Sequence, residues 1–253
     1  SSVRSSPNTI NGYSASNFRN RRRTSCCPED AVKAMDAVTP AVQAHLVDVY
    51  SLLTFGVAMA AFGTFTHLAF NIGGVLTTLG ALAALMYIGA TDKNDQSSRK
   101  AGFVAFTFCK GASIGPLVGL VLLQDASLVL MALVGTVAVF AAFTAMAMYA
   151  PRRQVLLFGG MLSSAITGLL VLSIANLFIG SSALFTAQLW VGLCVFSGFV
   201  AFDTQLMIEK AARGDRDAVW HAVELFIDFV AIFVRILIIL SRNKKKESRR
   251  ERR

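Results

Sequence analysis

GFVAFDTQLM (198–207) and HAVELFIDF (221–229) lie in the last two apolar segments of the chain, Leu184–Met207 and Trp220–Leu240. Each segment is long enough to cross a bilayer, which takes about 20 helical residues. Each also carries one deep acid, Asp203 or Asp228. A carboxylate in hydrocarbon is costly and therefore indicates function. We predict that Asp203 and Asp228 face each other and form the working site of a small membrane protein.

The composition of the chain supports a membrane protein. Of its 253 residues, 55% are hydrophobic and 15% charged, and the mean hydropathy is +0.58. This exceeds what a soluble domain needs. The net charge of +9 sits mostly at the two ends, where it can meet lipid headgroups, and no nucleic-acid site is expected. Neither an enzyme nor a cofactor is predicted, and the four cysteines suggest no disulfide framework or zinc site.

The N-terminal region, residues 1–44, is rich in Ser, Asn and Arg and has no acid before Glu29. Such a composition is typical of a disordered cytosolic tail, which we favour. An organelle transit peptide has a similar composition and stays open as the alternative. No apolar stretch of the kind found in a secretory signal precedes the first span.

Residues 45–240 are predicted to be an all-α membrane domain, because a lipid-exposed backbone must satisfy its hydrogen bonds within helices. The short connections make successive helices antiparallel neighbours. Glycines at four-residue spacing, Gly111, Gly115 and Gly119, permit close helix contact, and Pro116 predicts a kink or a break. The apolar windows are 49–69, 72–90, 101–123, 126–149, 155–179, 184–207 and 220–240.

Basic residues in alternate connections predict a cytosolic N-terminus. Seven full crossings would then place the basic tail, residues 241–253, on the far side. Either that tail is translocated or the seventh segment crosses incompletely, and we favour a cytosolic tail because the last segment is polar for a spanning helix. The basic residues of the connections are Lys93, Arg99 and Lys100, then Arg152 and Arg153, then Lys210, Arg213 and Arg216.

The polar residues of the last segment share one side of a helix. Glu224 and His221 precede Asp228 by four and seven residues, and Arg235 follows it by seven. At about 100° per residue these positions fall within about 60° of each other. A stripe of this kind cannot face lipid cheaply, so we expect the seventh helix inside a ring of the other six. Alternatively, His221 and Glu224 lie at the headgroup level and only Asp228 is deep.

The sequence resembles the transmembrane Bax inhibitor motif family from about residue 45 to the end. The resemblance is most specific in the last 70 residues, in GFVAFDTQLMIEKA (198–211), Gly214-Asp215, Trp220-His221 and LFIDF (225–229). Earlier matches are Gly111–Pro116, Tyr149-Ala150 with Arg152-Arg153, and Gly180-Ser181 with Phe185.

The resemblance implies a calcium-leak fold in which six helices surround the seventh, with Asp203 and Asp228 as a pH-sensing pair that controls calcium passage. It also implies a multi-pass protein of the endoplasmic reticulum membrane. Such a protein restrains cell death and endoplasmic reticulum stress signalling, including the unfolded protein response. The implied partners are membrane lipid, anti-apoptotic Bcl-2-type proteins and calcium-release channels.

The two carboxyl groups can supply the pH sensitivity by themselves. Two carboxylates held close in a low-dielectric site cannot both ionise easily, so they share a proton and titrate as a pair. The ionised pair either attracts Ca²⁺, which prefers oxygen ligands, or loosens the helix contact. Bacterial relatives latch the pair with a basic residue on the second helix, but this chain has no Lys or Arg between Ala34 and Asp92. Lys110 and Arg235 are the substitute candidates.

Other protein classes fit less well. An intramembrane aspartyl protease expects Gly-x-Gly-Asp, whereas Ala212-Arg213-Gly214-Asp215 lacks the first glycine, and a retinal receptor expects a lysine that residues 220–240 lack. A non-conducting scaffold that inhibits cell death through protein partners is the serious alternative. Its support is the basic tail, which is suited to anionic lipid or partner proteins but serves equally as a topology or retention signal. The tail residues are Lys244, Lys245, Lys246, Arg249 and Arg250.

Overall fold

The computed structural model describes residues 40–150 and 158–251. Within these ranges the chain forms seven helices and no strand, which confirms the all-α prediction. The N-terminal tail up to residue 39, the pair Arg152-Arg153 and the beginning of the fifth predicted segment lie outside the described residues. The helices are α1 (Pro40–Phe70), α2 (Val75–Ala90), α3 (Gln96–Leu122), α4 (Ala126–Tyr149), α5 (Gly159–Ile179), α6 (Ser182–Ala212) and α7 (Ala218–Glu251).

Length and apolar character separate these helices into three kinds. Five of them, α1, α3, α4, α5 and α6, are long and apolar enough to cross a membrane. The apolar helix α2 is shorter, with 16 residues. Helix α7 is the longest, with 34 residues. Its charged side chains divide the apolar residues into stretches that are too short to span a bilayer. It therefore needs shelter from the other helices.

Local sequence sets the helix ends. The carboxylates of Asp95 and Asp125 accept hydrogen bonds from the amides of Ser98 and Ser127, which begins α3 and α4. Gly180, with φ at 66°, ends α5 in the left-handed conformation that favours glycine. Helix α3 continues through Pro116 to Leu122, so the structure has no break there.

Helices α1 and α3 cross at glycines. A Cβ atom on Gly63 would collide with the carbonyl oxygen of Phe108, and one on Gly111 would collide with that of Ala60. The neighbouring atoms are backbone and cannot swing aside. The predicted packing role of the small residues is therefore confirmed at this crossing.

Helix α7 occupies the centre of the bundle, as predicted. It packs mainly against α6, α1, α4 and α3, while α2 packs mainly on α3 and α5 on α6. Phe226, Ile232 and Leu237 of α7 are fully buried. Edge-to-face ring contacts join Phe226 to Phe106 and Phe229 to Phe140, and these contacts fix the rotation of α7 about its axis.

Helix α7 runs the full length of the bundle and continues into the basic tail. The Ser241 hydroxyl donates to Gln124 Oε1 at 2.9 Å, and Lys244 Nζ lies 3.8 Å from Asp125 Oδ2. Both contacts are at the α3–α4 connection, whereas Lys93 pairs with Asp215 at the opposite end of the bundle. Helix α7 therefore packs as one continuous helix from end to end of the bundle, and the expected cytosolic side of the tail stays a prediction.

Candidate functional site

The Asp203 and Asp228 carboxyl groups meet between α6 and α7, within hydrogen-bond contact of each other. Asp228 is 4% exposed, and its Oδ2 atom has no hydrogen-bond partner among the described residues. Ionised carboxylates only accept hydrogen bonds. A hydrogen bond between these two groups therefore requires one proton shared by the pair.

Contacts on both helices hold the two acids in this register. Next to Asp203, the Gln205 side-chain amide donates to the Ala147 carbonyl oxygen at 3.1 Å, which ties α6 to the end of α4. Thr204 is fully buried and donates to its own helix at Val200. On α7, the ring contacts of Phe226 and Phe229 turn Asp228 toward α6. The acid pair is thus built on rigid elements.

Two further charged groups act on these acids: Glu224 of α7 on both, and Lys210 of α6 on Asp203. Lys210 stands seven residues after Asp203, on the same face of α6. In the sequence, Lys210 stands out as a basic residue of a connection and as part of the motif at 198–211, and its spacing from Asp203 is visible there as well. Among the described residues, Lys210 is a cation whose charge acts on Asp203.

The two predicted latch candidates lie elsewhere. The Arg235 guanidinium lies 4.2 Å from the centre of the Phe196 ring and donates to the Ala231 carbonyl oxygen at 2.8 Å. Lys110 is half-buried on α3 and is not among the charges that act on the acids. The structure therefore does not bring Lys110 or Arg235 to the pair.

The remaining members of the polar stripe have partners inside the bundle. His221 Nδ1 lies 3.1 Å from His45 Nε2, and the two residues are only 2% and 4% exposed. Glu224 Oε1 accepts a hydrogen bond from the Trp220 indole nitrogen at 2.8 Å. His221 is thus buried against α1 rather than exposed. The contact between His45 and His221 could not be predicted from the sequence, because a histidine in an apolar helix does not show which residue of another helix it meets.

A buried ion pair lies at the same end of the bundle. Arg99 Nη1 donates to Asp217 Oδ2 at 2.7 Å, with the side chains 3% and 8% exposed. Asp217 Oδ1 also accepts from the Trp220 amide at 3.1 Å and so caps the first turn of α7. In the sequence, Arg99 indicates topology as one of the basic connection residues, and no pattern distinguishes Asp217 as its partner.

The basic tail residues differ in their contacts. Lys244 approaches Asp125, whereas Lys245, Lys246, Arg249 and Arg250 are exposed along the end of α7. A single continuous helix therefore presents these cations outside the bundle. Their role toward lipid or partner proteins stays a prediction.

The acids offer few ligands for a resident metal ion. In the two described ranges, no three His, Cys, Asp or Glu side chains lie close enough to hold a metal together. Ca²⁺ takes about six to eight oxygen ligands, and the pair supplies carboxylate oxygens from two residues. The predicted calcium contact at Asp203 and Asp228 stays a prediction.

The fold and the buried acids define a polytopic helical membrane protein with a sheltered C-terminal helix. A sequence model of the family described as inhibitor of apoptosis-promoting Bax1 matches residues 42–245, and the chain belongs to this family. The resemblance stated from the sequence is thereby confirmed.

Similar proteins from animals and plants span nearly the same length. Bax inhibitor 1 of Homo sapiens is 39% identical over 227 residues, which cover 88% of this chain and 96% of the relative. Bax inhibitor 1 of Bos taurus is 40% identical over 226 residues, with the same coverage of both chains. For Bax inhibitor 1 of Arabidopsis thaliana the identity is 41% over 215 residues, covering 85% of this chain and 87% of the relative.

Proposed function

We propose that the protein is a pH-sensitive calcium leak of the endoplasmic reticulum membrane, with a cytosolic N-terminus. The leak lowers stored calcium and so suppresses apoptosis and endoplasmic reticulum stress signalling, including the unfolded protein response. The observation that carries this proposal is the contact between the Asp203 and Asp228 carboxyl groups at the buried seam of α6 and α7. Membership of the Bax inhibitor family supports the anti-apoptotic part.

The proton shared by the acids is the proposed control element. While it is present, a hydrogen bond joins α6 to α7 across the pair. When it leaves, two negative charges face each other where the effective dielectric constant is low, and their repulsion is stronger than in water. The seam then either opens or offers Ca²⁺ a pair of oxygen ligands. A flux measured against pH decides which protonation state conducts.

Calcium entry into vesicles tests this proposal. The purified chain is placed in calcium-free liposomes that contain a calcium dye, and entry is followed against pH for the wild type, Asp203→Asn and Asp228→Asn. We expect the wild-type leak to depend on pH and each substitution to abolish that dependence, because an amide cannot exchange the shared proton. Asp215→Asn is the control, since Asp215 is exposed and pairs with Lys93.

Two results would contradict the proposal. A leak that responds to pH in both variants as in the wild type removes the pair from the mechanism. No leak at any pH favours the second candidate, a non-conducting scaffold that inhibits cell death through Bcl-2-type proteins or calcium-release channels.

The exposed cations at the end of α7 favour that second candidate. Lys245, Lys246, Arg249 and Arg250 form a helical basic surface that is suited to anionic lipid or to an acidic partner. If the protein is a non-conducting scaffold, replacing these four residues with Gln is expected to abolish protection from cell death. The calcium flux is expected to stay unchanged. Protection that follows the Asp variants instead supports the leak.

A further inference from the structure

A polar cavity opens at the end of the bundle that carries the α2–α3 and α6–α7 connections. Its volume is about 430 Å³. We call this cavity the vestibule. It is formed by α1, α3 and the beginning of α7, and polar and charged side chains supply much of its wall. These are His45, Asp48, Ser51, Gln96, Lys100 and Arg216.

The histidine in the vestibule wall connects the cavity to α7. His45 Nε2 lies 3.1 Å from His221 Nδ1, and the two rings meet edge to face with their centres 5.3 Å apart. One imidazole must donate and the other accept in this contact. Each ring has a second nitrogen, so a proton taken up at one side of the pair can leave from the other.

The same face of α7 continues from His221 to the acid pair. Glu224 follows His221 by three residues, and Asp228 follows Glu224 by four, which are the spacings at which helix side chains are neighbours. The rise along the axis is about 4.5 Å for the first step and about 6 Å for the second. Glu224 acts electrostatically on both Asp203 and Asp228, and water-mediated hydrogen bonds can join polar side chains that do not touch directly.

In the other direction α7 offers no comparable connection. From Phe229 to Leu240 its only titratable residue is Arg235, whose guanidinium keeps its proton and cannot relay one. Arg235 also packs on Phe196, and the fully buried Ile232 and Leu237 fill the space around the axis. Along α7, the polar side chains that connect to the acids therefore lead toward the vestibule.

We propose that protons reach and leave the Asp203–Asp228 pair through the vestibule, with His45 and His221 as the relay and Glu224 as the link. The biological meaning of this route rests on the proposed function, but the route itself is defined without any calcium flux. The charged groups that face the histidines come from every surrounding element. They are Asp48 of α1, Lys210 of α6, Asp215, Arg216 and Asp217 of the α6–α7 connection, and Lys100 of α3 on the vestibule wall.

The rate at which the acid pair takes up a proton tests the route. An affinity tag on the C-terminal tail selects vesicles of one orientation, and the pH is jumped on one side. The infrared band of the protonated carboxyl, assigned by its loss in Asp203→Asn and Asp228→Asn, is then followed in time. For His45→Gln and His221→Gln we expect the rate to fall about 100-fold, because a positioned proton-transfer group contributes about that factor or more. The final amplitude is unchanged.

His67 provides the matched control. It is also buried, on α1, but at the opposite end, where its Nδ1 accepts from the Gly73 amide at 2.6 Å. His67→Gln is expected to keep the wild-type rate. Glu224→Gln leaves the histidine contact intact and is expected to slow uptake as well, so a folding defect in one histidine variant does not decide the result.

Two outcomes overturn the route: wild-type rates in both histidine variants and in Glu224→Gln, or equally fast uptake after a pH jump at the α3–α4 end. These failures are distinct from failure of the proposed function. If calcium flux is absent at every pH, the infrared rates still test the route. If flux follows the Asp variants while the histidine variants and Glu224→Gln protonate normally, the route alone is wrong.

Discussion

At the scale of single residues, burial decides how much an ion pair contributes. Arg99 and Asp217 are 3% and 8% exposed, whereas Lys93 and Asp215 in a second pair at the same end are 68% and 48% exposed. Exposed pairs contribute little because water and salt screen them. Removing one partner of a buried pair leaves a desolvated charge without compensation.

Arg99→Gln should therefore destabilise the protein far more than Lys93→Gln. We expect a loss of about 3–5 kcal/mol for Arg99→Gln and less than about 1 kcal/mol for Lys93→Gln. Thermal unfolding in detergent measures both. Equal losses would show that Asp217 is solvated in the native protein.

At the scale of elements, the α1–α3 crossing depends on glycines that meet backbone atoms. Gly63 and Gly111 have carbonyl oxygens in the space that a Cβ would take, whereas a Cβ on Gly168 of α5 would meet nothing within 4 Å. The same chemical change therefore has opposite consequences at the two kinds of position.

Gly111→Ala should force α1 and α3 apart and cost about 1–3 kcal/mol, as overpacking does. Gly168→Ala should be neutral or stabilise by up to about 1 kcal/mol, because alanine favours the helix over glycine. Thermal unfolding of the two variants under one detergent condition is the measurement. A stable Gly111→Ala protein would mean that the helices do not cross this closely.

The cap of α4 gives a pH-dependent element. Hydrogen bonds from the Ser127 hydroxyl and amide hold the pKa of Asp125 below its ordinary value of 3.8. The ionised cap therefore stabilises α4 above that pH, and the stabilisation is lost as the pH falls through the lowered pKa. Ser127→Ala removes the hydroxyl donor and should raise the Asp125 midpoint toward 3.8, measured by carboxyl NMR titration. Asp95, which Ser98 holds in the same way at α3, should not change.

At the scale of the whole molecule, the continuous α7 separates the two sets of basic residues. Ser241 and Lys244 contact the α3–α4 connection, and Lys93 contacts the α6–α7 connection at the other end. The start of the basic tail and Lys93 of the α2–α3 connection thus lie at opposite ends of the bundle. This arrangement differs from the usual trend, in which the basic residues of a membrane protein lie on one side of the membrane.

Single cysteines can test this arrangement in a background without the native cysteines. We expect an impermeant thiol reagent to label positions 124 and 246 from one side of the membrane and position 94 from the other. All three residues are exposed in the native chain. Labelling of positions 246 and 94 from the same side would mean that α7 does not cross.

The sequence by itself determined the helices and the acid pair. Apolar runs of spanning length must be helical in lipid because the backbone has no other hydrogen-bond partners. The short α6–α7 connection makes these helices antiparallel neighbours, so Asp203 and Asp228 could be placed together from the chain alone. The polar stripe on α7 likewise predicted the central position, since only a sheltered helix can carry it.

Tertiary structure alone decided the partners of that stripe. His45 and His221 are 176 residues apart in the chain, and Arg99 and Asp217 are 118 apart. Periodicity within one helix shows which face is buried but not which residue of another helix meets it. That choice, like the continuous packing of α7 along the whole bundle, depends on how all the helices pack at once, through ring contacts and glycine crossings whose geometry is absent from any single segment.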